Sequence, residues 1–388
     1  MTQSHLKKLL WRGGCLAALA LYGYVQNYRL KRQDYLLESP RYAGAVDGFA
    51  IAVLSDLNFP KHRVDLKDLL HKTRASQVDM IALTGNILDQ EGTLDLNALA
   101  HFAQELTAIA PVFAVYGPHE LKHPQAPQME RIFRNYGVQF LHDQAVDLTY
   151  KGQAITIMGL MEKGNRAFLK GDVLRHIDLT PKQTQQVKIL LASHPEAFLR
   201  YHEDLSKSAD LVLSGLATGG SLNLGPLGGL YAPGQGYLPK YTEGVFRLPG
   251  NPYKSLLISR GIGRANLGLR INNRPELVRV QLTASAEDAL EDWTQELAEA
   301  PEHSDSASAN QPGKSGQEEL GDQVLVYDDR PGRHYSQPDH VLIQDQGEDY
   351  LVDALPEEEV RAEDLPLAAE PKQAASPIRP LPDFEADN

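Results

Sequence analysis

A single cysteine, Cys15, stands among 388 residues. The chain therefore has no disulfide framework and no structural zinc site built on thiolates. Glycine (31) and proline (24) lie near average usage, which excludes a collagen-like or wholly low-complexity chain. No nucleic-acid-binding module is present. An unbroken apolar run of about 20 residues, the length a bilayer span needs, is missing as well. What remains is an ordinary supply of core: 42% hydrophobic and 23% charged residues. At this length that suits about two domains, or one large domain with appendages.

The net charge of −13 conceals two different halves. From Ala284 to Asn388 there are 27 acidic against 6 basic residues, a net −21. The preceding residues carry 32 basic and 24 acidic, a net +8. A mildly basic body with an acidic tail suits anionic ligands or membrane surfaces.

Three regions follow. Residues 1–46 read as a membrane anchor and linker. Lys7 and Lys8 precede an apolar run from Leu9 to Val25, interrupted by Arg12 and three glycines, and Arg29, Lys31 and Arg32 follow it. Arg12 can snorkel, and Tyr22, Tyr24 and Tyr28 suit the interface, so a single-pass N-terminal anchor is expected. A cleaved signal peptide competes, since Ala18-Leu19-Ala20 resembles a cleavage site, as does a buried N-terminal helix. Basic residues flank both ends, so charge assigns no orientation.

Residues 47–284 alternate strand-length apolar runs with helical patterns. Phe49–Ser55, Asp79–Thr84 and Pro111–Tyr116 predict strands, with helices over Val64–Ser76 and Leu94–Thr107 between them. This β-α-β-α-β order predicts an α/β domain on a mixed or parallel sheet. Later runs (Ala154–Gly159, Val187–Ser193, Leu211–Ser214, Val245–Leu248, Lys254–Ser259 and Leu277–Leu282) predict a second sheet. Residues 285–388 are rich in Pro, Glu, Asp, Ser and Gln, and are expected to be a largely disordered tail with a helix over Glu287–Glu299 at most.

Five loops each follow an apolar strand, where α/β sheets collect ligand groups. They are Ser55-Asp56-Leu57-Asn58, Gly85-Asn86-Ile87-Leu88-Asp89, Gly117-Pro118-His119-Glu120, Ser193-His194-Pro195, and Ser214-Gly215-Leu216-Ala217-Thr218-Gly219-Gly220. Asp, Asn and His on such loops suit a metal or phosphate site. Each also has a plainer reading. Asp56 and Asp89 suit Asx turns, His119 a hydrogen bond within its loop, His194 the end of a strand, and Gly219-Gly220 positive φ.

In order and spacing the five loops resemble the calcineurin-like metallophosphoesterases, specifically a membrane-anchored bacterial-type subgroup. That family reads D-x-H, G-D-x-x-D, G-N-H-E/D, a lone H, and G-H-x-H-G-G. The resemblance runs from about Phe49 to Leu282. It is reinforced by the stretch from Gly228 to Gly236 and by Arg270-Ile271-Asn272-Asn273-Arg274-Pro275-Glu276-Leu277. It implies an α/β/β/α sandwich of two mixed sheets, and phosphoester hydrolysis on two divalent cations about 3.5–4 Å apart.

Carried over by position, the resemblance implies metal ligands at seven places, of which Asp56 and His194 keep their type. The others read Asn58 for His, Asn86 for the bridging Asp, Pro118 for Asn, and Leu216 and Thr218 for two His. His119, the family's transition-state residue, is kept, as are Asp89 and Glu120 behind the ligands. One carboxylate cannot balance two dications. The expected cofactor is therefore none, or one weakly held Mn, Mg or Fe on Asp56, Asn86 and His194. The spacing of His62, His123 and His142 suggests no compensating ligand. Three functions follow from this pattern. The first is a membrane-tethered, catalytically inactive homologue with a binding or scaffolding role. The second is a reduced single-metal hydrolase of membrane or cell-envelope phosphoesters. The third is a scaffold acting through its tail. Expected partners are a membrane and a protein docking at the cleft or the acidic tail. Gly-rich backbone N–H groups could also take a phosphate without metal.

Overall fold

The structure is a computed structural model and describes residues 3–163 and 171–285. Apart from Ser285, the acidic tail and the helix expected over Glu287–Glu299 lie outside the described residues.

Two six-stranded mixed sheets lie face to face with helices outside, as the α/β/β/α expectation requires. The first sheet is ordered β1-β14-β2-β3-β4-β5. Its strands are β1 (Lys31–Glu38), β2 (Ala50–Leu54), β3 (Met80–Thr84), β4 (Val112–Val115), β5 (Gln139–Phe140) and β14 (Glu276–Thr283). β2 through β5 run parallel, β14 runs antiparallel to β2, and β1 pairs parallel with β14. The second sheet is ordered β12-β13-β9-β8-β7-β6. It uses β6 (Gln144–Tyr150), β7 (Gln153–Gly159), β8 (Val187–Leu191), β9 (Leu211–Ser214), β12 (Gly244–Leu248) and β13 (Asn251–Ile258). A two-stranded ribbon, β10 (Tyr231–Ala232) with β11 (Gly236–Tyr237), stands apart.

The central strands are apolar throughout because both of their faces are covered. On β2, Ile51 and Val53 enter the layer between the sheets, with Phe113, Ile157, Ile189 and Leu213. Ala50, Ala52 and Leu54 face α2 (Leu66–Ala75), α3 (Leu96–Thr107) and α5 (Ala126–Asn135), through Leu69, Phe102 and Phe133. Asp65 and Asp95 start α2 and α3 by accepting backbone N–H groups. A third apolar cluster covers the outer face of the second sheet.

The structure departs from the sequence expectations in three places. Residues 30–46 are no linker: β1 is an edge strand of the first sheet, and Leu37, Tyr42 and Val46 are buried in the central layer. The Leu277–Leu282 run joins the first sheet as β14 instead of the second. No helix among the described residues is long and apolar enough to cross a membrane. In the helix in question, α1 (Gln3–Tyr28), Arg12 and three glycines interrupt the apolar run. Its last turn is polar and bonds to the domain.

Candidate functional site

The loops after β2, β3, β4 and β9 meet at one edge of the sandwich. Asp56, just past β2, is buried and holds φ +52°. Its Oδ2 accepts from the Ser55 hydroxyl (2.5 Å) and from the Leu216 backbone N–H (3.1 Å). Its Oδ1 accepts from Asn86 Nδ2 at 2.8 Å. The orientation of that amide is fixed by its other end, since Asn86 Oδ1 lies 3.1 Å from the backbone N of His119, a group that can only donate. Asn86 therefore presents N–H, and no lone pair, to Asp56. Gly215 makes the approach of the β9 loop feasible, because a Cβ there would land on Ser55 Oγ.

Glu120 ties the same loops together from behind. Its carboxylate accepts from the backbone N–H groups of Asn86 (2.9 Å), Leu88 (2.7 Å) and Gly117 (2.7 Å). Burial pushes its pKa up to about 7 against the pull of those three donors. Pro118 occupies the first position of a short helix, α4 (Pro118–Lys122), where the missing N–H costs nothing. His119 turns Nδ1 to the Leu88 carbonyl at 3.1 Å. Burial lowers its pKa despite nearby Asp56, which favours a neutral ring.

The remaining sequence candidates point elsewhere. Asn58 donates to the Arg264 carbonyl at 3.0 Å, and its buried Oδ1 has no partner. Asp89 accepts from Lys61 Nζ (2.9 Å) and from the Glu91 N–H in a turn of the kind expected of it. Thr218 Oγ1 accepts from Asn266 Nδ2 at 2.8 Å. Gly219 and Gly220 do hold positive φ, +62° and +69°. In their loop the N–H groups of Leu216, Gly220 and Ser221 are committed to Asp56, Ala217 and Thr218. His62 packs at a tilt against Phe59, His123 binds the Gly92 carbonyl and His142 binds Glu130, so none of the three turns to Asp56.

His194 is the sharpest departure. Its Nε2 lies 2.7 Å from Glu162 and its Nδ1 2.9 Å from Glu196, all three largely buried. Burial alone would depress the ring's pKa; the two carboxylates reverse that and raise it to about 9. Two carboxylates facing the two ring nitrogens favour an imidazolium that donates from both, a form without a lone pair for a metal. Glu162 was missed in the sequence, although it follows β7 as His194 follows β8, on neighbouring parallel strands. Arg270 was missed as an individual residue. Fully buried, it donates to the carbonyls of Gly263 (3.0 Å) and Arg260 (2.9 Å). Burial lowers its pKa to about 10, while Asp56 and Glu276 hold it charged. Asn273 was likewise missed. It binds the carbonyls of Thr218 (2.7 Å) and Ser221 (3.0 Å) and so pins the β9 loop.

Comparison with known proteins shows what the chain resembles. No family model matches the chain. It is 26% identical over 278 residues to an uncharacterized metallophosphoesterase of Bacillus subtilis, YkuE, covering 68% of this chain and 92% of that protein. A second, YkoQ, is 25% identical over 237 residues, covering 59% and 82%. Both relatives are named metallophosphoesterases, and the chain is similar to them over most of their length. An uncharacterized protein of the same organism, YpbG, is 25% identical over 233 residues, covering 58% and 78%. Among solved structures, a 5'-nucleotidase precursor from Thermus thermophilus aligns at 13% identity with a TM-score of 0.34, covering 64% of this chain and 59% of that one.

Metallophosphoesterases as a family use divalent metals, so the donor set deserves a direct test. Among the described residues no group of three or more His, Cys, Asp or Glu side chains is placed to hold a metal ion. Both Asp56 oxygens already accept from protein donors, Asn86 presents an N–H, and both His194 nitrogens donate. These residues do not fit a metal of the family's kind, and no reaction step is derived through one.

Proposed function

We propose that this metallophosphoesterase homologue is catalytically inactive and acts by binding or scaffolding at a membrane surface. One observation carries the reading: both oxygens of the single retained metal-site carboxylate, Asp56, already accept hydrogen bonds, from Ser55, Asn86 and Leu216. Where family members balance aspartates with dications, this chain uses a carboxamide, a backbone N–H and the buried guanidinium of Arg270. Such a centre is satisfied without metal, and its hydrogen bonds hold four loops in register. The single-metal hydrolase loses support, because Asn86 and His194 offer hydrogens where it needs lone pairs. The membrane part rests on sequence: the first 33 residues contain no acidic side chain and carry the apolar run of α1. With a spanning helix absent from the described residues, attachment at the interface fits better than a span. The acidic tail remains available to a basic protein partner.

The test uses the full chain, purified and then dialysed against Mn²⁺, Fe²⁺ or Zn²⁺. Metal content well below one ion per chain and no turnover of an aryl phosphodiester are expected. Stoichiometric metal with turnover abolished by Asp56→Ala would overturn the proposal.

A further inference from the structure

We infer that the loops beyond β9 and β13, together with α1, form one apolar face that docks on an anionic lipid surface. The inference deepens the membrane part of the proposed function and rests on it. Three segments make up the face. In the first, residues 215–242, Leu227, Tyr237 and Leu238 are 66%, 75% and 59% exposed. In the second, residues 260–275, Leu267, Leu269 and Ile271 are exposed. The third is α1, whose Leu16 and Leu19 are 68% and 66% exposed.

Hydrogen bonds stitch these segments together. Tyr22 on α1 donates to Asn272 Oδ1 at 2.5 Å, and the Asn273 N–H donates to Gln26 at 3.0 Å. Asn27 and Arg270 exchange two hydrogen bonds, of 3.0 and 3.1 Å. The Asn223 N–H donates to the Ile271 carbonyl, and the Leu267 N–H to Ser221 Oγ. The Leu238 N–H, beyond the β10–β11 ribbon, donates to the Leu230 carbonyl. The exposed leucines therefore sit on linked loops, and their apolar side chains are left to solvent. Exposed apolar surface gathered in this way marks an interaction site.

Charge selects the occupant. Residues 215–242 and 260–275 contain no Asp or Glu, in a protein that has 51 of them, and neither do residues 1–33. Lys240, Arg264 and Arg274 are their outward cations, joined by Arg12, Arg29 and Lys31 at the N-terminal end, whereas Arg270 is buried and Arg260 is paired with Glu243 and Glu276. Leucine and tyrosine at loop tips, with Lys240, Arg264 and Arg274 on the same loops, match a headgroup layer carrying negative charge over an apolar interior. A protein partner would need acidic groups placed one by one. An anionic leaflet offers them anywhere.

The experiment is co-sedimentation of the full chain with vesicles of phosphatidylglycerol and phosphatidylethanolamine, and with neutral phosphatidylcholine vesicles. Binding to the anionic vesicles is expected, at least about tenfold stronger than to the neutral ones. The double variant Leu227→Glu, Leu238→Glu should weaken it by about tenfold or more with an unchanged Tm, since both side chains are exposed. Leu205→Glu, more exposed still (83%) but at the opposite end of β9, should bind as wild type. Wild-type binding that the double variant retains would sink the loop face and leave the membrane reading standing. No wild-type binding to any vesicle would sink both, while the metal test above stays independent. A dimer that the double variant dissolves, without vesicle binding, would assign the face to a second copy and overturn the inference.

Discussion

Replacing Asn86 by Asp introduces the residue that the metallophosphoesterase resemblance implies there and sets a second carboxylate against Asp56. In the native chain the 2.8 Å bond from Asn86 Nδ2 is a buried hydrogen bond to a carboxylate, a class that contributes about 1.5–3 kcal/mol. The variant loses that donor and gains a like charge, so a cost of about 3 kcal/mol or more is expected at pH 8. For a domain of this size about 1 kcal/mol moves Tm by about 2–4 °C, which gives a drop of about 6–12 °C. The pH dependence has a definite sign. One carboxyl of the new pair has a folded-state pKa raised above its unfolded value, so the penalty is full at high pH and shrinks as pH falls through that raised pKa. A shared proton then replaces the lost amide hydrogen. The assay is thermal unfolding of the full chain from pH 5 to 8, with and without Mn²⁺. The reasoning fails if the variant is as stable as wild type at pH 8, or if Mn²⁺ restores its Tm, since restoration would mean that the remaining residues complete a metal site.

Three further outcomes follow from the same network. Because its folded-state pKa is raised to about 9, His194 contributes stability that is full below about pH 6.5 and lost as pH rises towards 9. His194→Gln should flatten that part of a pH–Tm profile, and a profile identical to wild type would contradict the imidazolium. Asn273→Ala removes two bonds to buried carbonyls and should cost about 2–3 kcal/mol. Hydrogen exchange should then speed up at Gly220 and Ser221 ahead of the central strands, and uniform protection would refute the pinning role. Combining Asn58→His, Asn86→Asp, Pro118→Asn, Leu216→His and Thr218→His should raise bound Mn²⁺ above wild type. Unchanged metal content in a folded protein would show that these positions do not decide it.

Legibility in the sequence followed burial. β2, β3 and β4 are covered on both faces, so each is an unbroken apolar run that can be read directly. β1 is an edge strand, and its Lys-Arg-Gln-Asp start reads as a linker because its outer side meets water. The pairing of β14 with β2 joins residues more than 220 positions apart, and nothing in the Leu277–Leu282 run itself names the sheet it enters. Of the site, the five loops and their substitutions were readable. Their rewiring was not, because the decisive donor to Asp56 from the β9 loop is the backbone of Leu216, invisible in side-chain identity. Glu162 was within reach as an acid just past a strand end. Its partnership with His194 required the neighbouring order of β7 and β8.

The central claim is that Asp56 sits in a hydrogen-bonded centre where the resemblance to metallophosphoesterases implies a metal. Anomalous diffraction from crystals of the protein soaked in Mn²⁺ tests it most directly. The account expects Asn86 Nδ2 and the Leu216 nitrogen still bonded to Asp56, and no peak within about 2.6 Å of its carboxylate. Two adjacent peaks there, with Asn86 or His194 turned to ligate them, would contradict it.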